Sequence, residues 1–98
     1  MFNILNHRTI LAYIKEYPEA EIPLKVWYQA TKVAKWESLN DLKKDYSNAS
    51  IVKDDRIIFN IKGNHFRLLV RISFRYRRIM IKWFGTHEEY NRIDVNTY

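Results

Sequence analysis

The run Thr86-His87-Glu88-Glu89-Tyr90 sets a histidine, two carboxylates and a phenol side by side near the C-terminus. Thr86 with Glu89 three positions on has the form of a capping box, so His87 is expected at the first position of a short helix. Tyr90 then lies three residues further, over the same face. The partial positive charge of a helix N-terminus favours a neutral ring over an imidazolium and favours a phosphate nearby. A neutral histidine beside a phosphate suits proton abstraction at neutral pH. The plainer reading of the same run is a helix cap with His87 exposed and idle.

The phosphate would come from the residues upstream. Between Arg56 and Lys82 the chain has eight basic residues and no acidic one, and the remainder has nine basic and eleven acidic residues. The net charge of +6 is therefore confined to one stretch, which marks a binding surface better than a high overall charge does. An ordinary solvated face would mix both signs. Within the stretch, His65, Arg67, Arg71 and Ser73 alternate with Phe66, Leu68, Val70, Ile72 and Phe74. Period two means a strand with one dry face and one wet, cationic face.

RNA offers such a surface a reaction that needs no metal. The 2′-hydroxyl attacks the adjacent phosphorus, leaving a 2′,3′-cyclic phosphate and a free 5′-hydroxyl. The protein must align the attack, move two protons and stabilise the phosphorane. Arg67 is the best stabiliser, because a planar guanidinium grips two phosphate oxygens at once. Asn60, expected opposite it, could orient it. Asn60, Lys62, Asn64, Arg71 and Lys82 are the candidate RNA-binding residues, with Arg71 and Lys82 holding neighbouring phosphates. His7, His65 and His87 lack metal-ligand spacing, and His65, beside a turn, reads as a surface residue. Asp54-Asp55 and Glu88-Glu89 read as turn and cap residues. No phosphate-cradling glycine loop is present, and neither a metal nor a cofactor is expected.

The elements that must position these groups follow from periodicity. Asn6 can cap a first helix over 7–17, with Ile10, Leu11, Ile14 and Tyr17 on one stripe and Pro18 ending it. A second helix near 20–36 has Pro23 in its first turn and a stripe of Ala20, Leu24, Trp27, Thr31 and Ala34. The two are expected to form a helical hairpin. Ser38-Leu39-Asn40-Asp41 resembles a capping box and starts a third helix to about Tyr46. Residues 47–55 read as loop. Strands are expected at 56–62, 65–74 and 77–84, with Met1–Leu5 as a possible edge strand. Gly63-Asn64 supplies the positive φ of a two-residue hairpin turn. That register sets Ile61 opposite Phe66, Phe59 opposite Leu68, Asn60 opposite Arg67 and Lys62 opposite His65. In the third strand Ile79, Ile81 and Trp83 are expected inward, with Arg78, Met80 and Lys82 outward. Trp27, Trp36 and Trp83 all read as core. The fold class is α+β: an N-terminal helical hairpin packed on a small antiparallel sheet, with a short C-terminal helix.

At 98 residues the chain is expected to be a single domain, 1–98. Hydrophobic content of 47% argues for a packed core over disorder. The absence of cysteine excludes a disulfide scaffold and a thiolate zinc site, and suits a reducing cytosol. No apolar run nears the ~20 residues of a membrane span, and Met1-Phe-Asn-Ile-Leu-Asn-His-Arg8 does not read as a signal peptide. A cytoplasmic protein is expected.

The pattern Phe59-Asn60-Ile61-Lys62-Gly63-Asn64, then Arg67-Leu68, then Gly85-Thr86-His87-Glu88-Glu89-Tyr90 resembles the HigB family of toxins, within the RelE-like superfamily of type II toxin–antitoxin systems. The resemblance extends to the opening Met-x-Asn-Ile, to Tyr17-Pro18 and to Trp27-Tyr28. It implies a RelE-like fold and an mRNA interferase that cuts transcripts on the ribosome. It also implies a helix-turn-helix, HigA-like antitoxin as partner, with Arg67, His87 and Tyr90 at functional positions. Two other functions share parts of this pattern. A ParE-like toxin has the fold but poisons DNA gyrase. A non-catalytic RNA- or ribosome-binding module would need only Arg67, Arg71 and Lys82, although the sheet lacks the paired exposed aromatics of base-stacking readers.

Overall fold

A computed structural model describes all of residues 1–98. The chain is α+β. Strand β1 (Asn3–Leu5) leads into α1 (Arg8–Glu16), a 3-10 turn (Pro18–Ala20), α2 (Glu21–Lys32) and α3 (Leu39–Asp45). Then follow β2 (Ser50–Val52), β3 (Arg56–Ile61), β4 (Phe66–Ser73), β5 (Arg78–Thr86), α4 (His87–Tyr90) and a last 3-10 turn (Val95–Thr97). The strands form one sheet in the order β1-β5-β4-β3-β2. It is mixed rather than purely antiparallel, because β1 pairs with β5 in parallel. No helix is long and apolar enough to cross a membrane.

The expected alternation holds through β3 and β4. Ile57, Phe59 and Ile61 pair with Val70, Leu68 and Phe66 on the core face. Helices α1 and α2 pack there, with the Trp27 ring 5.5 Å from Phe59 and the Tyr17 ring 5.3 Å from Phe66. Burial of such side chains contributes about 1.5–3 kcal/mol each, so one contiguous cluster of 19 buried residues is the main source of cohesion.

Helix α1 buries Ile10 and half-buries Tyr13 and Ile14, the spacing of a single helical stripe, and Tyr17 at its C-cap is half-buried as well. Leu11, expected on that stripe, is 59% exposed, since it sits 100° round from Ile10. Asn6 does not cap α1. Its backbone is left-handed (φ 66°) and its Nδ2 donates to the Ile81 carbonyl, tying the helix start to β5. Helix α2 ends at Lys32 instead of 36, while Trp36 still reaches the core and donates Nε1–H to Asp45. Ser38 caps α3 as expected, but Asp41 accepts from the Glu37 amide and not from that of Ser38. The segment read as loop contains β2, a three-residue edge strand paired with β3 and too short to show a period.

Two departures reshape the sheet. In the β3–β4 turn the left-handed residues are Lys62 and Gly63 (φ 54° and 63°), not Gly63 and Asn64. The β4–β5 ladder is interrupted between Leu69 and Val70: Leu69 faces Trp83 and Val70 faces Ile81, so Lys82 is left unpaired. One extra residue in one strand inverts the side-chain alternation beyond it. Ile79 and Ile81 point inward as expected, but Phe84 takes the next core position and Trp83 is displaced to the opposite face, half-buried.

Candidate active site

The sheet face away from the helices bears Asn60, Arg67, Arg71, Met80 and Trp83. Not all of the basic stretch is free on it. Arg56 is buried and donates from Nε and Nη2 to the Tyr98 carbonyl, at 3.0 and 2.7 Å. That fastens the C-terminal residues to the sheet. Arg77, at the β4–β5 turn, donates to the carbonyls of Met1, Ala34 and Trp36 and lies 4.0 Å over the Phe2 ring. Six of the eight cations remain for an outside partner, and the expected +8 surface is correspondingly smaller.

At one end of the sheet the chain builds a cleft of about 360 Å³ lined by Glu19, Asn64, His65, Phe66, Thr86, His87 and Glu88. The register explains the grouping. Phe66 pairs with Thr86 and Arg67 with Gly85, so His65 and His87 are the next opposed positions. The His87 amide donates to the His65 carbonyl at 2.9 Å, which continues the ladder by one step. His65 and His87 therefore meet at the end of the ladder, two positions beyond the Arg67–Gly85 pair.

Arg67 is half-buried, and its Nη1 donates to the carbonyls of Asn64 and Phe66, both at 3.1 Å. Asn60 opposes it across the ladder as expected but does not bond to it, so Asn60 is not what orients the guanidinium. The backbone of the cleft does. Nε and Nη2 have no partner within the protein, which leaves an edge of the guanidinium for an anion. Across from Arg67, Gly85 gives room: a Cβ there would stand 2.7 Å from the Trp83 ring and 2.9 Å from Glu89 Oε1.

The capping box forms as read. Thr86 Oγ1 accepts from the Glu89 amide at 3.1 Å, and Glu89 Oε1 accepts from the Thr86 amide at 2.8 Å. The sequence gives no sign of the second link to this carboxylate. The Tyr17 hydroxyl donates to Glu89 Oε1 at 2.5 Å across 72 residues, joining the end of α1 to α4. The Thr86 amide, and then the Tyr17 hydroxyl, hold the Glu89 carboxyl below its usual range. Burial, reinforced by Glu89, pushes the Tyr17 phenol well up, so it stays a donor.

The remaining candidates lie elsewhere. Tyr90 is not in the cleft: its half-buried ring sits 6.3 Å from that of Trp83. The outer face thus does carry a pair of partly exposed aromatics, contrary to expectation, and the bulge at Lys82 creates it. Lys62 is exposed beside the cleft, 3.9 Å from Glu19. Arg71 is exposed about four residues along β4, in a separate groove of about 260 Å³ with Leu5, Asp55, Ile72, Ser73, Arg78 and Met80. Lys82 is half-buried at the bulge. No group of three or more His, Cys, Asp or Glu side chains could hold a metal.

A cationic sheet with a histidine-bearing cleft at one end, backed by an N-terminal helical layer, defines a small α+β protein of the RelE-like kind. The chain belongs to the HigB toxin family, described as the RelE-like toxic component of a toxin–antitoxin system, whose model matches residues 20–93. It is therefore the toxin of such a system, and its partner is an antitoxin. No curated protein matches the chain.

Proposed function

We propose that this toxin is an mRNA interferase, an endoribonuclease that cuts transcripts on the translating ribosome by metal-independent attack of the 2′-hydroxyl. The observation that supports this reading is a cleft at the end of a cationic sheet, lined by Asn64 and His87, with Arg67 bonded to the carbonyls of two of its lining residues, Asn64 and Phe66. His87 takes the 2′-proton. As the 2′-oxygen closes on phosphorus, charge grows on the equatorial oxygens, and Arg67 meets it with Nε and Nη2. Such preorganised donors lower the barrier because they need no reorientation when the charge appears. The Asn64 and Phe66 carbonyls hold Arg67 in place, and the Tyr17–Glu89–Thr86 bonds hold the backbone that carries His87. Lys62, Asn64, Asn60, Arg71 and Lys82 would steer and position the RNA chain. Trp83 and Tyr90 offer rings on which a base can stack, worth about 1–3 kcal/mol per base. Tyr90 is then a stacking residue and not a proton donor.

The antitoxin on this reading is a helix-turn-helix, HigA-like protein, and the toxin acts in the cytoplasm. The test is a translating ribosome programmed with a defined mRNA, incubated with purified toxin in excess EDTA. Cuts ending in 2′,3′-cyclic phosphate and 5′-hydroxyl are expected. Intact mRNA together with trapped gyrase–DNA complexes would replace the reading with gyrase poisoning. RNA or ribosome binding without cuts would reduce the protein to a binding module.

A further inference from the structure

We propose that His65 is the second proton-transfer residue of this site, the acid that protonates the departing 5′-oxygen; the proposal rests on the RNA-cleavage reading above. In-line displacement needs a base on the entering side and an acid on the leaving side. His87 can serve only one of them. The structure provides a second imidazole on the same cleft, its carbonyl bonded to the His87 amide.

The placement is set by backbone bonds. The His87 amide donates to the His65 carbonyl at 2.9 Å. The His65 amide donates in turn to the Lys62 carbonyl at 3.1 Å, so the two residues meet where the β4–β5 ladder ends in a turn on one side and in α4 on the other. Both residues are exposed, and both line the same cleft. Arg67, two positions from His65, is bonded to the carbonyls of Asn64 and Phe66, which line that cleft. Two rings lining one cleft can bracket one phosphodiester while Arg67 meets its non-bridging oxygens.

The turn also fixes which nitrogen of His65 is available. Its Nδ1 lies 2.9 Å from the Lys62 carbonyl. A carbonyl only accepts, so Nδ1 carries the hydrogen and donates it. Nε2 is then the nitrogen with no hydrogen bond inside the protein. When the ring is protonated, the Nδ1–H bond persists and Nε2–H is the donor. The left-handed backbone at Lys62 and Gly63 belongs to the turn that brings this carbonyl to the ring. The charged groups around the pair are Lys62, Arg67, Glu19 and Glu88, with Lys62 turned toward Glu19 at 3.9 Å.

The step balances without a co-reactant. The 2′-O–P bond forms as the P–O5′ bond breaks; His87 gains the 2′-proton, and His65 gives the proton on Nε2 to O5′. The two rings finish with exchanged protonation states and reset through water.

Single-turnover cleavage on programmed ribosomes tests this with His65→Gln and with His65→Asn, whose amide can still donate to the Lys62 carbonyl. Each is expected to slow cleavage by about 10²-fold or more and to remove the alkaline limb of the pH–rate profile, while His87→Gln removes the acidic limb. An mRNA with sulfur in place of the bridging 5′-oxygen at the mapped cut supplies the separating measurement. A thiolate leaves without a proton, so His65 variants should cut this substrate at close to the wild-type rate, whereas His87→Gln should not. Wild-type cutting of ordinary mRNA by both His65 variants would overturn the proposal and leave the interferase reading intact. A rate loss equal on both substrates, with both pH limbs kept, would make His65 a structural turn residue and overturn it likewise. A wild-type protein that cuts neither substrate would sink the underlying reading.

Discussion

At the scale of single residues, the interferase reading gives the two arginines of β4 different tasks. Arg67 is held by the Asn64 and Phe66 carbonyls with an edge of its guanidinium free, whereas Arg71 is exposed in a groove beyond the cleft. Arg67→Ala should lower single-turnover cleavage by roughly 10²–10³-fold with affinity for ribosomes nearly unchanged. Arg71→Ala should instead weaken binding and flatten its salt dependence while the bound complex still cuts. Equal, binding-only defects in both variants would show a phosphate track with no catalytic centre. Rate and affinity measured side by side decide it.

Glu89 is the other residue with a sharp expectation. Its carboxyl titrates lower in the folded protein than in the unfolded chain, because the Thr86 amide and the Tyr17 hydroxyl bond its charged form. The unfolded chain therefore binds the proton first on acidification. This part of the stability is complete above the ordinary carboxylate range, about pH 4–5, and is lost as the pH falls through the folded value. The melting temperature of Glu89→Gln should accordingly fall less steeply below pH 5 than that of the wild type. Parallel curves would mean that the bonds to Glu89 do not survive in solution.

At the scale of elements, the register of β3 and β4 is readable from alternation because one face of each strand is fully buried. The five-residue cap from Thr86 to Tyr90 is legible because its hydrogen bonds are local. What periodicity misses has a common cause. The Lys82 bulge leaves no residue-type signature: Lys82-Trp83-Phe84 fits either parity, and only packing against Leu68 selects Phe84 for the core. His65 is the surface residue that its place beside a turn implies, but its meeting with His87, 22 residues away across a turn with no glycine, has no local signature. The commitment of Arg56 and Arg77 to carbonyls of remote segments is likewise invisible, since the backbone carries no side-chain code. Arg77 fastens the N-terminus, the α2–α3 connection and the β4–β5 turn together. Its replacement by methionine should leave several carbonyls without a donor and cost about 2–4 kcal/mol, measurable by urea unfolding. Ribosome binding per folded molecule should not change; a binding defect at full stability would return Arg77 to the RNA surface.

At the scale of the whole molecule, the charge is sorted onto one side. The sheet's outer face and its β4–β5 turn hold Arg67, Arg71, Arg75, Arg78 and Lys82, while the helical layer mixes both signs and exposes an apolar row of Ile22, Val26 and Val33 (75%, 62% and 56% exposed). An antitoxin can silence the protein by masking the cationic face or by gripping the helices. Masking is expected, because a chain that competes with RNA for this face gains from complementary charge, and the most direct competitor is an acidic segment laid over the cleft. The toxin–antitoxin complex should then dissociate faster as salt rises. The double variant Arg71→Ala, Arg78→Ala should weaken it by at least tenfold, while Val26→Ser should change it little. Hydrogen exchange on the complex should show protection along β4 and β5. A salt-insensitive complex that is broken by Val26→Ser and leaves the sheet free to bind RNA would refute masking, and would place antitoxin control on the α2 face.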